Sequence, residues 1–154
     1  QSDATFLNAA YNSDDPDIDT TARSFAASAE RLMEIDLQGA AFCDTVSAIW
    51  GHEIGQLCYP VAVGRTAKIL NLDPELTTAM YLQAFIGNLT TAAMRLLPLG
   101  QVAGQKIQTM LKPRIVEIAA KSIGGTLEDL HSSAWMSDIA AMRHETQYSR
   151  VFRS

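Results

Sequence analysis

The feature that most constrains this chain is Asp73-Pro74-Glu75 followed by a run, Leu76 to Met94, without Asp, Glu, Lys or Arg. Asp73 is a good N-cap because its carboxylate can accept an unpaired first-turn N–H. Pro74 suits the first helical position, where no N–H is needed. Glu75 sits favourably against the positive helix end. Pro98 disfavours the α conformation at Leu97, so a helix is predicted over about 74–97. A helix without a charged face needs cover from other elements. The fold class that follows is all-α: a single-domain antiparallel helical bundle with 74–97 as its central buried helix. A membrane span needs about 20 predominantly apolar residues, and Thr77, Thr78, Gln83, Asn88, Thr90 and Thr91 make this run too polar for one.

The rest of the chain is also helical in pattern. Residues 6–11 suit a turn or two of helix, and residues 12–19 read as an acidic loop. From Asp19 to Trp50 there is no Pro and only Gly39, which favours one or two helices with a break near Ser28. Leu32, Ile35, Gly39 and Phe42 trace its apolar row. Gly51 and Gly55 loosen the chain before Tyr59-Pro60, and Pro60 opens a short helix over 60–71. A further helix runs from Gly100 to about Ser122, kinked or split at Pro113 and ended by Gly124-Gly125. A last helix covers about 133–147. No segment alternates at period two.

At 154 residues the chain is one ordinary domain. Its net charge of -5 is localised. Asp3, Asp14, Asp15, Asp17 and Asp19 fall in the first nineteen residues with no Lys or Arg, and the remaining acids and bases balance at twelve each. There is no basic stripe, which excludes a nucleic-acid binder and a polybasic membrane surface. Cys43 and Cys58 are too few for a disulfide scaffold and read as reduced thiols packed as small hydrophobes.

No constellation supports catalysis. His52, His131 and His144 form no HExxH and no zinc-finger spacing with Cys. Gly100-Gln-Val-Ala-Gly104-Gln lacks the length and the Lys of a Walker loop; its GxxxG spacing instead places two glycines on one helical face for close packing. No Gly-x-Ser-x-Gly elbow and no carboxylate pair in a cleft is recognisable. No catalytic, cofactor-binding or metal-ligating residue is therefore assigned.

The C-terminal residues 141–154 differ from the rest: three Arg against one Glu, with Tyr148 and Phe152. Arg and Tyr dominate interface hot spots, so this is read as a partner-binding tail comprising Arg143, His144, Glu145, Gln147, Tyr148, Arg150 and Phe152. Arg143, Gln147 and Arg150 lie at i, i+4 and i+7 on one stripe, which makes Arg150 more important than Arg153.

The stretch Met142-Arg-His-Glu-Thr-Gln-Tyr-Ser-Arg-Val-Phe-Arg-Ser154 resembles the C-terminal signature of the UreF family of urease accessory proteins. Three further blocks fall in the same order: Glu30 to Gly39, Tyr59-Pro60-Val-Ala-Val-Gly64, and Arg95-Leu-Leu-Pro98-Leu-Gly100-Gln101 with Gly104-Gln105 behind it. The family normally carries additional chain before these blocks, so the sequence reads as part of a longer product, in keeping with its opening at Gln1. The acidic loop looks particular to this sequence.

The resemblance implies an all-α protein that performs no chemistry itself. It implies a cytoplasmic scaffold, often dimeric, acting with UreD (UreH in some bacteria) and the GTPase UreG to deliver nickel to apo-urease. Nickel would then be the cargo of the complex and not a tightly bound cofactor. Two alternatives within that assembly are a GTPase-activating factor for UreG, through an exposed Arg reaching in trans, and a direct nickel carrier using imidazole and thiolate ligands. The scatter of the His and Cys residues predicts only weak nickel binding by the chain alone.

Overall fold

In a computed structural model, residues 1–131 and 134–148 are described. Among them the chain forms seven α-helices, a single 3-10 turn at Leu127–Asp129 and no strand. The all-α expectation holds. The helices are α1 (Ser2–Asn12), α2 (Asp17–Ser24), α3 (Ala29–Trp50), α4 (Tyr59–Ile69), α5 (Pro74–Leu96), α6 (Gln101–Ser122) and α7 (Trp135–Glu145).

Local chemistry accounts for most boundaries. Asp73 Oδ1 accepts from Leu76 N–H at 2.7 Å, with Pro74 in the first turn of α5. Ser28 breaks the 19–50 region as an N-cap, its hydroxyl accepting from Arg31 N–H at 3.1 Å. Gly51 and Gly55 take positive φ in the connection after α3, a conformation costly for other residues. The acidic loop is shorter than residues 12–19, because α1 extends through Asn12 and α2 begins at Asp17. Pro113 does not split α6, which runs through it unbroken.

The centre of the fold is not α5. Leu76 and Met80 are 61% and 65% exposed, and only Thr78, Tyr81, Leu82 and Thr90 of that helix are buried. The most enclosed element is α1, in which every residue from Ala4 to Asn8 and on to Ala10 is buried. It packs most extensively on α4 and also touches α2, α5, α6 and the 3-10 turn. Lack of charge in α5 permits burial but does not supply a neighbour. That helix pairs chiefly with α6, which covers one side of it.

Two apolar clusters flank α1. Phe6, Ala9 and Ala10 meet Ile18, Ala22, Ile35 and Val61 on one side. Ala4 and Leu7 meet Tyr81, Leu82 and Ile115 on the other. Between them Asn8 is 1% exposed. Its amide nitrogen lies 2.9 Å from the Ala4 carbonyl, 3.0 Å from Thr78 Oγ1 and 3.0 Å from Ser122 Oγ. The hydroxyls of Thr78 and Ser122 in turn donate hydrogen bonds to the carbonyl oxygens of Pro74 and Ala119. The buried amide thus ties α1, α5 and α6 together, and its burial is tolerable because its donors are satisfied.

Two glycines set the closest approaches. A side chain at Gly64 would meet the Leu7 carbonyl oxygen of α1, and one at Gly39 would meet the Leu57 carbonyl oxygen. Gly104 is buried against Thr90 and Met94 of α5, as its spacing predicts. Gly100 is different: it is the N-cap of α6 and faces open space, so only one glycine of the pair serves packing.

Three of the five leading acids are paired within the fold. Asp3 pairs with Arg31 at 2.7 Å, Asp14 with Arg65 and with Lys68 (2.8 Å), and Asp19 with Arg23 at 2.7 Å. For Asp3, Asp14 and Asp19 the charge asymmetry along the sequence becomes pairing within the fold, while Asp15 and Asp17 stay exposed. Asp14 is held below its ordinary carboxylate range, chiefly by its hydrogen bond from Lys68 and also by Arg65. Cys43 and Cys58 are free and buried. Desolvation, with Asp19 beside it, pushes the Cys58 thiol up to about 12, so it is unreactive at neutral pH.

Candidate functional site

The candidate site is built where α7 crosses the N-terminal end of α3. The first N–H groups of any helix lack partners within it. In α3 the Arg31 N–H goes to Ser28 Oγ, and the Ala29 N–H donates to Glu145 Oε1 at 2.6 Å. One residue earlier in α7, His144 Nδ1 lies 2.7 Å from Glu30 Oε2. Both side chains of that pair are about three-quarters shielded, at 28% and 23% exposure. The C-terminal, electronegative end of α7 therefore meets the N-terminal, electropositive end of α3, and Glu145 caps the latter.

Behind this contact lies a groove of about 570 Å³ walled by α3, α5, α6 and the start of α1, with α7 across it. Its polar floor is closed on itself. Arg31 donates to Asp3 Oδ2 and to Glu34 Oε2, each at 2.7 Å, and lies 5.5 Å from the Phe85 ring centroid. Tyr81 donates its hydroxyl to the same Asp3 oxygen at 2.7 Å. Burial would lower the Arg31 pKa, but Asp3 and Glu34 outweigh it and the value is raised. Burial, then Asp3, raises the Tyr81 phenol well above its ordinary value. These groups hold a cation and a phenol in fixed protonation states, which suits architecture and not proton transfer.

The predicted tail residues divide by direction. His144 and Glu145 face α3, whereas Arg143, Gln147 and Tyr148 are exposed. Arg150 and Phe152, like Arg153, lie outside the described residues. Trp135, Met136, Ile139 and Met142 of α7 are exposed as well, and α7 contributes no buried residue. Of the other motif residues, Tyr59 makes edge contact with Phe42 (centroids 5.7 Å apart) and a tilted contact with Tyr81 (5.3 Å). Pro60 is buried in the first turn of α4. Pro98 lies in the α5–α6 connection, and Gln101 and Gln105 are exposed beside buried Gly104.

Sequence reasoning did not single out Glu30 or Ala29 as partners of the tail. Adjacent residues on a helix do not share a face, so His144-Glu145 offers no joint signal. Both residues engage one target because that target is a helix end, which presents a backbone donor and a side chain together. Among the described residues, no group of three or more His, Cys, Asp or Glu is placed to hold a metal ion. No helix among them is long and apolar enough to cross a membrane.

Comparison with known proteins points one way. The UreF family model matches residues 1–112. The chain is 47% identical over 156 aligned residues to the urease accessory protein UreF of Ruegeria pomeroyi, covering 99% of this chain and 72% of that protein. It is 49% identical to the protein of the same name from Roseobacter denitrificans, covering 99% and 70%. It is 44% identical to that of Cereibacter sphaeroides, where the match spans the whole of this chain, α7 included, and 74% of the relative.

Proposed function

The chain belongs to the UreF family of urease accessory proteins, and on that premise we propose that it is a non-enzymatic scaffold in urease maturation. In this reading it works in the cytoplasm with UreD (or UreH) and UreG while nickel, the cargo of the complex, is inserted into apo-urease. Family membership carries the reading. The geometry agrees with it, because the groove floor is a closed ion-pair network and the exposed groups of α7 are those of an interface. Arg143 and Tyr148 offer a planar cation and an amphipathic ring, the side chains most enriched where binding energy concentrates.

The exposed side of the α5–α6 pair supports a second element of the reading, self-association. Leu76 and Met80, one turn apart on α5, and Val102 and Met110, two turns apart on α6, are exposed, and α5 carries no charged side chain from Leu76 to Met94. A second copy of the chain would cover the apolar side chains and leave the ammonium of Lys106, exposed between Val102 and Met110, at the edge of the contact.

Co-expression with UreD tests the scaffold reading, comparing the intact chain with one truncated after Ala141. Intact chain should be recovered with UreD and should support urease activation; the truncated chain should do neither while keeping its helical circular dichroism. Equal recovery and activation by the two forms would remove the tail from the contact.

A further inference from the structure

We infer that Glu30, together with the N-terminal end of α3, is a positioning element that sets the last turn of α7 as a preformed contact face. The inference rests on the reading above, that this turn meets the accessory partner.

The argument starts from what holds α7. None of its residues is buried, and among the helices its substantial contact is with α3. Its place is therefore decided by few groups. The two clearest are His144 Nδ1 to Glu30 Oε2 at 2.7 Å and Ala29 N–H to Glu145 Oε1 at 2.6 Å. Both are made by the last two residues of α7, where the chain leaves the helix. That end is also where two helix dipoles meet with opposite sign, so both acids lie beside the electropositive end of α3.

The consequence for recognition follows from direction. With His144 and Glu145 turned to α3, Arg143 near the end of α7 and Gln147 and Tyr148 just beyond it are exposed; α7 ends at Glu145, short of the expected 147, so Arg143 and Gln147 do not form the helical stripe their spacing suggested. Ile139 and Met142 add exposed apolar area on the same helix. The matching surface is an apolar hollow rimmed by carboxylates, which would take the Tyr148 ring and the Arg143 fork. Holding these groups in place before encounter removes ordering costs from association. His144 and Glu145 act through Arg143 and Tyr148 and need not touch the partner.

The test uses the full chain and purified UreD, with two readouts: amide hydrogen exchange over residues 135–145 and recovery of the complex. Glu30→Ala and His144→Ala should each speed exchange in α7 by about tenfold and cut recovery by a similar factor. The melting temperature should stay within about 2 °C of the parent, because no buried group is removed. The exchanged pair, Glu30→His with His144→Glu, should raise recovery above either single variant, a rescue that a general structural effect would not give. Normal recovery alongside faster α7 exchange would overturn the inference, as would unchanged exchange in the single variants. Arg143→Ala combined with Tyr148→Ala separates the two levels. It should leave α7 exchange slow and abolish recovery. Full recovery with that variant would overturn the partner reading itself, and the positioning role with it.

Discussion

The α1–α4 seam and the α5–α6 pair both rely on a glycine, and the two glycines face different things. At Gly64 an added Cβ would strike the Leu7 carbonyl oxygen and come within 3.1 Å of Ala10 Cβ. At Gly104 it would come 2.6 Å from Met94 Sδ and 3.2 Å from Thr90 Cγ2. The first obstacle is backbone on the most buried helix. The second is the far end of a flexible side chain on a helix with an exposed flank. Rigid enclosure belongs to α1 and α4, and adaptable contact belongs to α5 and α6. The region proposed for self-association is thus the one that can adjust.

The sharpest way to break this comparison is to make one substitution at both sites. Gly64→Ala should cost about 3 kcal/mol or more, because backbone must move. Gly104→Ala should stay within about 1 kcal/mol of the parent, since Met94 can turn aside and Ala gains helix propensity. Urea unfolding midpoints measure both, and equal losses would erase the distinction. Asn8→Ala comes next, at about 1–3 kcal/mol, because it removes the amide joining α1, α5 and α6 and leaves space where it stood. Gly104→Leu should also fall in the range of about 1–3 kcal/mol, by holding α5 and α6 apart. A Leu variant of unchanged stability would show that the pair tolerates separation altogether.

The smallest expected effect is one of pH. Cys58 caps α4 in the rigid seam. Its thiol is pushed from an ordinary 9.0 to about 12 by desolvation, then by Asp19. The unfolded chain ionises this group first. Its contribution is therefore intact below about pH 9 and declines as pH rises from there toward the folded value. Cys58→Ala should flatten the fall in urea midpoint between about pH 8.5 and 10, leaving the part due to Cys43 and, near pH 10, to Tyr59 and Tyr81, all of which burial raises. An unchanged slope would mean that the seam admits water at Cys58.

Element boundaries were legible because they are written locally. Asp73-Pro74, Ser28, Tyr59-Pro60 and Gly124-Gly125 each act within a few residues, and the structure places helix ends at all of them. The location of the core was not legible in the same way. α1 carries Asn8 and Thr5, which look like surface residues until Thr78 and Ser122 come to meet them from far along the chain. α5 looks like a core helix because nothing in its composition forbids burial, yet permission is not coverage. The candidate site divides likewise. Arg143 and Tyr148 stand out by type, whereas Glu30 becomes visible only when His144, 114 residues away, is brought against it. The acids at the start of the chain look like a solvated segment until Arg31, Arg65 and Arg23 are placed beside them.

The position of α1 bears on how the protein is made. This helix leaves the ribosome ahead of α2, α4, α5 and α6, the described helices that pack on it. Asn8 waits for Ser122, 114 residues later, before its amide is satisfied. Until α6 has emerged, α1 has no complete cavity to occupy, and its apolar side chains stay open to other nascent chains. Domains dominated by such distant closures fold late and slowly compared with bundles whose neighbours are adjacent in sequence. Productive folding should therefore be committed only when synthesis has passed Ser122, and stalled chains ending before α6 should be the species that chaperones and proteases capture.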